Sequence, residues 1–284
     1  MTLQSIEIVK ANGEKARFSI GKLRSSLART GADKHVVQRI IDIVRDELYQ
    51  GISTREIYNR AFALLKNEQH VYASRFKLKK AIFELGPTGF PFENFIAALF
   101  QYSGYKVEIR QSVQGKCIAH EVDVMVNKNG MTNLIECKFH SEEGRNCDVK
   151  IPLYIHSRYN DIKAVWQEDK QSLLEGIWIA TNTRFTDDAT QYAKCNNLNL
   201  LAWSYPEGNS LKDRIDRLAL YPITVSTLLT NTEKKFLLEK DVVLAKQLLE
   251  NSYLLDHLGI SESRTPKIIN EMKQLCNLVH RENS

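Results

Sequence analysis

The pattern of hydrophobic and polar residues predicts a first part made of a hairpin followed by helices. Apolar residues alternate on both sides of Asn12-Gly13, which is typical of a β-hairpin with a tight turn. A periodicity of about 3.6 residues then predicts helices over residues 21–30, 34–49, 54–66 and 69–85, with Ser53 or Thr54 as the N-cap of the third. The stretch LGPTGFP interrupts this periodicity with two prolines and two glycines, and so marks a boundary.

After this boundary the pattern changes to that of an α/β unit. Residues 91–103 predict a helix with a buried stripe, and residues 105–111, 119–127 and 132–139 predict strands, the last two joined at Asn129-Gly130. A helix near residues 160–168, the apolar strand GIWIATN, the helix TDDATQYAKCNN and the strand LNLLAW follow. From about residue 210, leucine-rich periodicity predicts a helical C-terminal region whose role the sequence does not assign.

Composition narrows the class of protein only modestly. The chain has 39 Lys and Arg against 34 Asp and Glu, a net charge of +5 that permits a polyanionic partner without requiring one. Its five cysteines form no CxxC pair, so we expect reduced thiols and not disulfides or a zinc site. The start of the chain lacks the apolar core of a signal peptide, and no run of about 18 apolar residues occurs, so we expect a soluble, cytoplasmic protein.

The second hairpin, HEVDVMVNKNGMTNLIECKFH, carries acids and a lysine at alternating positions. Asp123 precedes Asn129-Gly130 by six residues and Glu136 follows it by six, so pairing would place the two carboxylates side by side. Two-residue spacing puts Lys138 on the face of Glu136, and Glu121 on that of Asp123. Converging carboxylates favour a hard cation such as Mg²⁺. A surface hairpin with cross-strand ion pairs explains the spacing equally well.

Four motifs follow one another over residues 88–203: FENFIAALFQYSGY, HEVDVMV, LIECKFH and GIWIATNTRFTDDATQYA. In this order they resemble the PD-(D/E)xK nucleases, and most of all the Mrr-like branch linked to type IV restriction of modified DNA. The resemblance implies hydrolysis of DNA phosphodiesters with Mg²⁺ or Mn²⁺. It implies that Asp123, Glu136 and the backbone carbonyl of Cys137 bind the metal ion and that Lys138 attends the attacking water. Glu93 would support the metal, although an acid is also favoured at a helix N-terminus by the helix dipole.

A segment after this hairpin, IPLYIHSRYNDIKAVW, mixes basic and aromatic residues. Arg158 and Lys163 lie around Tyr154 and Tyr159, a combination that suits binding to a nucleic-acid backbone. An amphipathic helix with a charged exterior is an equally good interpretation.

The first part of the chain carries basic residues that could take part in a nucleotide site. From the residues alone, Lys10, Lys22 and Arg75 could surround phosphates or form a solvated basic face. Three linked motifs occupy residues 3–85: IEIVKANGEKARFSIGKLRSSLARTGA, GISTREIYNRAFALL and YASRFKLKKAIFEL. In this order they resemble an ATP-cone domain. This resemblance implies regulatory binding of ATP or dATP without hydrolysis, through Val9, Lys10, Lys22, Thr54 and Tyr58. The chain has Lys10-Ala11 where many ATP cones have Lys-Arg, which removes a guanidinium from the phosphate site.

These observations predict an α/β protein: a small ATP cone of a β-hairpin and helices, a restriction-endonuclease-like core with a central mixed sheet, and a helical C-terminal region. The predicted domains are residues 1–86, 88–208 and 209–284. The leading hypothesis is a Mg²⁺-dependent endonuclease acting on double-stranded DNA, controlled by ATP or dATP and forming a homo-oligomer. The alternatives are a catalytically inactive, nucleotide-responsive DNA-binding protein and a DNA-repair or junction nuclease.

Overall fold

A small sheet opens the fold, and the computed structural model describes residues 6–10, 13–169 and 173–276. Strand β1 (Glu7–Val9) pairs antiparallel with β2 (Lys15–Arg17), as the hairpin pattern predicted. The turn enters the left-handed region at Gly13, with a φ of 81°. Residues 11 and 12 of the predicted Asn12-Gly13 turn lie outside the described residues. A further strand, β3 (Ile52–Ser53), pairs parallel with β1 and was not predicted.

Five helices accompany this sheet, and local capping explains where the third begins. The Ser53 hydroxyl accepts the Glu56 N–H while the Glu56 carboxylate accepts the Ser53 N–H, a reciprocal cap. The predicted helix 69–85 is divided at Lys77, whose ammonium donates to Glu84 and to the carbonyl of Thr224. The helices are α1 (Ile20–Ala28), α2 (Lys34–Asp46), α3 (Thr54–Glu68), α4 (His70–Phe76) and α5 (Leu78–Phe83).

The connection to the second part runs close to the central sheet. A Cβ atom at Gly86 would lie 2.7 Å from the ring of Phe139, so the chain passes there too closely for any larger residue. Helix α6 (Phe90–Gln101) begins soon after, and its predicted stripe is buried.

A five-stranded mixed sheet forms the centre of the second part, in the order β10-β8-β6-β5-β4. The pairs β10–β8 and β8–β6 are parallel, and the pairs β6–β5 and β5–β4 are antiparallel. The elements are β4 (Lys106–Gln114), β5 (Ala119–Lys128), β6 (Met131–Lys138), β7 (Asn146–Cys147), α7 (Lys150–Asp169), β8 (Leu173–Thr181), β9 (Arg184–Phe185), α8 (Asp187–Cys195) and β10 (Asn199–Leu201). The short strands β7 and β9 pair with each other.

Helices cover both faces of this sheet. Ile135 of β6 packs in the apolar cluster that contains α6, whereas its neighbour Leu134 packs in the cluster that contains α7. Helix α7 is much longer than the predicted residues 160–168, and Pro152 lies in its first turn, where proline is tolerated. The sheet with a helix layer on each side confirms the predicted α/β class.

The C-terminal region is helical, as predicted, and packs against both preceding parts. Its core residues belong to the same apolar cluster as those of α1–α6. The elements are α9 (Leu211–Leu218), a 3₁₀ turn (Ile223–Val225), α10 (Asn231–Glu239), α11 (Ala245–Glu250), α12 (Leu254–His257) and α13 (Thr265–Cys276). Within the described ranges, no helix has the length and apolarity that crossing a membrane requires.

Candidate active site

The β5–β6 hairpin brings the two predicted carboxylates together. Asn129 and Gly130 have φ values of 56° and 78°, as the tight turn requires. The register pairs Val124 with Ile135, so the next residues along the two strands are Asp123 and Glu136. The carboxylate of Asp123 accepts the N–H of Cys137 at 2.7 Å. The turn therefore fixes the position of both acids, as the spacing predicted.

Two cations hold the carboxylate of Glu136, whose side chain is only 8% exposed. Lys138 donates to one oxygen at 2.6 Å, which shows that the two side chains share a face. Arg158 of α7 donates to the other oxygen at 2.9 Å and also to the backbone carbonyl of Glu121. A buried carboxylate is tolerated only with such partners.

The two basic residues predicted to contact DNA differ in their surroundings. The Arg158 side chain is 15% exposed and is engaged with Glu136 and with the ring of Tyr154, 5.6 Å from the guanidinium carbon. Lys163 is exposed on the same helix, with its ammonium 5.7 Å from the centre of the Tyr159 ring. Arg158 is thus part of the acid cluster, and Lys163 is available to a ligand at the surface.

Strand β5 does not alternate regularly at Asp123. Val122 packs in the cluster on the α7 side and Val124 packs in the cluster on the α6 side, although they are two residues apart. On the neighbouring strand, Arg110 has a φ of 52° between the paired residues Ile109 and Gln111. The regular alternation on which the predicted placement of Glu121 on the face of Asp123 depends is therefore interrupted between Val122 and Val124.

Glu93 lies in the first turn of α6, the helix that covers the opposite face of the sheet from α7. Its side chain is 12% exposed, and its carboxylate lies 3.4 Å from a guanidinium nitrogen of Arg110. Burial raises the pKa of Glu93, Arg110 opposes this shift, and the charges of Glu121 and Glu136 add to it. The electrostatic influence of Glu136 places Glu93 near the same acid cluster.

Asp123 is the most perturbed acid of this cluster. Burial raises its pKa to about 7, and the charges of Glu136 and Glu93 contribute in the same direction. The Cys137 N–H and the Lys138 ammonium oppose the shift. The site therefore concentrates more negative charge than its low-dielectric surroundings stabilise, which a further cation would relieve.

The donor set fits a hard divalent cation. In the part of the chain that the structure describes, no three His, Cys, Asp or Glu side chains gather as a metal site. Mg²⁺ needs fewer protein ligands, because it is commonly bound by one or two carboxylates together with water and phosphate oxygens. Asp123 and Glu136 supply two carboxylates next to the backbone of Cys137, although an ion would share Glu136 with Lys138 and Arg158.

The predicted nucleotide site gathers around β1 and the start of α3. Val9 pairs with Ser53, which directly precedes Thr54 at the first position of α3. One turn later, the Tyr58 ring stacks on Phe76 with ring centres 5.1 Å apart. Among the described residues, nothing accepts from or donates to the Tyr58 hydroxyl, although its oxygen is buried.

The two predicted phosphate-binding lysines are at the surface. Lys10 follows β1 and forms an ion pair with Glu14 at 3.0 Å. Lys22 is exposed in the first turn of α1, where its backbone N–H donates to the Ser19 hydroxyl. The structure brings Val9 close to Thr54, and it places Lys10 at the end of the same strand.

Asp161 of α7 lies near the β5–β6 hairpin, and sequence reasoning did not single it out. Its carboxylate accepts the backbone N–H of Cys117 at 3.0 Å and lies 2.8 Å from Nε2 of His120. These contacts hold its pKa at about 2, the bond to His120 contributing most. Asp161 thereby ties the loop between β4 and β5 to α7, and no local sequence signal indicates this long-range role.

Comparison with known families confirms both resemblances in the predicted order. The ATP cone domain family matches residues 6–80, and the restriction endonuclease family matches residues 87–205. A third family, described as AF1548-like, C-terminal, matches residues 221–276. The chain therefore consists of an ATP cone, a restriction endonuclease domain and a C-terminal region of a recognised type.

Individual relatives extend this picture. An uncharacterized protein of Archaeoglobus fulgidus is 30% identical over 189 residues, which are 63% of this chain and 99% of that protein. The crystal structure of the protein of unknown function AF1548 is 26% identical, with a TM-score of 0.55 over 66% of this chain and 98% of that chain. MspJI restriction endonuclease in complex with a 27-mer oligonucleotide gives a TM-score of 0.34 at 12% identity, a level at which no common fold follows.

Proposed function

Because the chain belongs to the same family as the Archaeoglobus fulgidus protein and joins an ATP cone to a restriction endonuclease domain, we propose that it is a Mg²⁺-dependent DNA endonuclease of Mrr-like type. In this proposal the ATP cone binds ATP or dATP and controls cleavage. The observation that carries the proposal is the cluster of Asp123, Glu136 and Lys138 on the β5–β6 hairpin, inside the restriction endonuclease domain.

Each residue of the cluster has a distinct role in this mechanism. Asp123, Glu136 and the backbone carbonyl of Cys137 would hold the Mg²⁺ ion, which on binding supplies a more acidic water and stabilises charge on the phosphate. Lys138, 30% exposed, donates to Glu136 and reaches the solvent side, where it would also orient the attacking water. Arg158 fixes the rotamer of Glu136 from α7.

Glu93 and Arg110 complete the acid cluster on the α6 side. The raised pKa of Glu93 suits a carboxyl that exchanges protons with water in the site. Arg110 holds this carboxyl at 3.4 Å and limits the repulsion between it and the hairpin acids.

A plasmid cleavage assay tests the nuclease function. Wild-type protein with Mg²⁺ should nick or linearise methylated or unmethylated plasmid, and EDTA should prevent this. Lys138→Ala should reduce the rate by at least about 100-fold, since a positioned general catalyst contributes 10²–10⁴-fold. Lys106→Ala, which removes an exposed lysine of β4, serves as the matched control. Equal cleavage by wild type and Lys138→Ala, or none by wild type on either DNA, contradicts the proposal.

Lys163 offers a separate test of DNA binding. An exposed lysine that contacts a phosphate contributes to affinity without regard to sequence and releases a counterion. Lys163→Ala should therefore weaken binding to unrelated duplexes by similar factors and reduce the slope of log K against log salt by about one. An unchanged slope would place Lys163 outside the interface.

Nucleotide binding by the ATP cone is supported by the family match over residues 6–80 and by the pairing of Val9 with Ser53, which brings the hairpin next to Thr54 at the start of α3. In this proposal Val9 and Lys10 line the hairpin side of the site, Lys22 binds phosphate, and Thr54 and Tyr58 lie close to the base.

Calorimetric titration with ATP and dATP tests this part. Lys22→Ala should weaken binding by about tenfold or more, because hydrogen bonds to a charged phosphate contribute about 1.5–3 kcal/mol. Lys66→Ala, which removes an exposed lysine at the far end of α3, should bind like wild type. No heat with either nucleotide, together with no thermal shift, would mean that the ATP cone has lost nucleotide binding.

A further inference from the structure

A groove of about 660 Å³ opens beside the acid cluster and has no role in the mechanism described so far. Its walls are the connection after Gly86, the first turn of α6, Arg110 of β4 and the last turn of α10. A groove of this size is in the range of sites that bind small molecules.

One guanidinium connects this groove with the candidate active site. Arg110 donates to Glu93 at 3.4 Å and, with its other terminal nitrogen, to the side-chain oxygen of Asn94 at 3.3 Å. Glu93 belongs to the acid cluster, whereas Asn94 and Arg110 line the groove. A ligand in the groove would therefore lie one side chain away from the acid cluster.

The groove contains an aromatic platform. The Phe90 side chain is 56% exposed, and the guanidinium carbon of Arg110 lies 5.3 Å from the centre of its ring. An exposed phenylalanine next to an arginine is a favourable surface for stacking a nucleobase. Leu238 of α10 adds an apolar wall.

The charges of the groove favour a base over a phosphate. Arg110 and Lys235 are basic, Glu239 and Asp241 are acidic, and their formal charges cancel. Asp241 accepts the side-chain N–H of Asn94 at 2.7 Å, so this carboxylate is held at the groove wall. A phosphate would meet two carboxylates as well as the two basic groups, so the groove offers it no net charge attraction, whereas a neutral, planar group with polar edges would meet a ring and hydrogen-bonding groups.

We propose that this groove binds an unpaired nucleobase of the DNA substrate, stacked on Phe90, beside the phosphate that is cleaved. The proposal rests on the nuclease function and specifies its substrate. A base inside a duplex cannot reach a side groove unless it leaves the helix, which is easiest for a mismatched or single-stranded nucleotide. The preferred substrates are thus duplexes with an unpaired or easily extruded nucleotide at the cleavage position.

The test uses duplexes in which a mismatch, an abasic site or 2-aminopurine is placed at each position near a mapped cut. For wild type, a mismatch at one position should lower KM, an abasic site there should raise it, and 2-aminopurine fluorescence should change at that same position. Phe90→Ala should raise KM for the mismatched duplex about 5- to 100-fold, given the usual contribution of one stacked base, and lose the fluorescence change. Phe90→Tyr should restore both.

Tyr253→Ala is the matched control, because Tyr253 is 55% exposed and lies outside this groove. It should behave like wild type with every duplex. If wild type cuts DNA but Phe90→Ala shows the same KM and the same fluorescence, the groove does not bind a base and the nuclease function stands. If wild type cuts none of the duplexes, the nuclease function itself has failed, and the substrate proposal fails with it.

Discussion

Glu271 holds the first part of the chain to the C-terminal region, and its replacement by glutamine should destabilise the whole protein. This carboxylate is 2% exposed and accepts four hydrogen bonds. The donors are the hydroxyl of Ser74 on α4 at 2.6 Å, the hydroxyl of Ser226 at 2.5 Å, and the N–H and hydroxyl of Thr227, both at 2.9 Å. All these donors lie outside α13, so their hydrogen bonds to Glu271 join separate elements of the fold.

The expected magnitude follows from the donors that glutamine cannot satisfy. Glu271→Gln keeps the shape but replaces one acceptor oxygen with an NH₂ group. The Ser226 hydroxyl cannot compensate by accepting, because it already accepts the N–H groups of Leu228 and Leu229 at 3.2 and 3.1 Å. One bond to a charged group is lost, at about 1.5–3 kcal/mol, and a buried donor stays unsatisfied, at about 1–3 kcal/mol. We expect a loss of about 3 kcal/mol in the free energy of unfolding.

Urea denaturation followed by circular dichroism measures this loss. With a slope of about 3 kcal/mol per M for a protein of this size, the midpoint should fall by about 1 M. Glu262→Gln, an exposed change in the segment before α13, should stay within about 0.5 kcal/mol of wild type. If Glu271→Gln unfolds at the wild-type midpoint, the carboxylate does not hold these elements together and the reasoning is refuted.

Three further changes test buried polar groups. Burial and the neighbouring Lys77 lower the pKa of Lys234 from 10.5 to about 8, so the free energy of unfolding of wild type should increase as the pH rises from about 8 to 10.5. Lys234→Met should be more stable than wild type at pH 7 by about 1–3 kcal/mol. Denaturation at pH 10 should show a smaller difference between the two proteins. Tyr58→Phe removes an unpartnered buried hydroxyl and should raise the free energy of unfolding without nucleotide by about 0.5–1.5 kcal/mol, whereas a loss would reveal a partner. Arg158→Leu leaves Glu136 with one cation and should cost about 2–4 kcal/mol by denaturation; an unchanged stability would show that Lys138 alone suffices.

The geometry of the hairpin acids could be predicted because a tight turn fixes register. Once Asn129-Gly130 forms the turn, the pairing of Val124 with Ile135 and the positions of Asp123 and Glu136 follow from counting. On the other side of Asp123 the alternation is interrupted, because Val122 and Val124 pack in different helix layers. On the adjacent strand Arg110 has a φ of 52° between the partners of Val124 and Val122, and the local pattern of β5 does not contain this feature.

Other parts of the site depend on contacts between distant residues. The basic and aromatic residues around Arg158 suggested either a DNA contact or an amphipathic helix with a charged exterior, and they gave no sign that its guanidinium donates to Glu136. The role of Arg110 depends on α6, which brings Glu93 and Asn94 to it. Periodicity predicts that Glu93 and Asn94 lie on a helix and that Arg110 and Glu136 lie on strands, whereas Arg158 precedes the helix predicted over residues 160–168. Only the packing of α6 and α7 on opposite faces of the sheet decides which of these side chains meet.

The C-terminal region shows the same limit most clearly, because its sequence predicts helices and its contacts give them a role. Glu271 reaches Ser74, 197 residues earlier in the chain, and Asp241 reaches Asn94, 147 residues earlier. The first contact lies in α4, next to Phe76 and its stacking partner Tyr58 in the ATP cone. The second lies beside the pair of Arg110 and Glu93. A region that packs on both sites at once, within one continuous apolar core, gives the ATP cone a physical connection to the nuclease domain in addition to the short segment around Gly86.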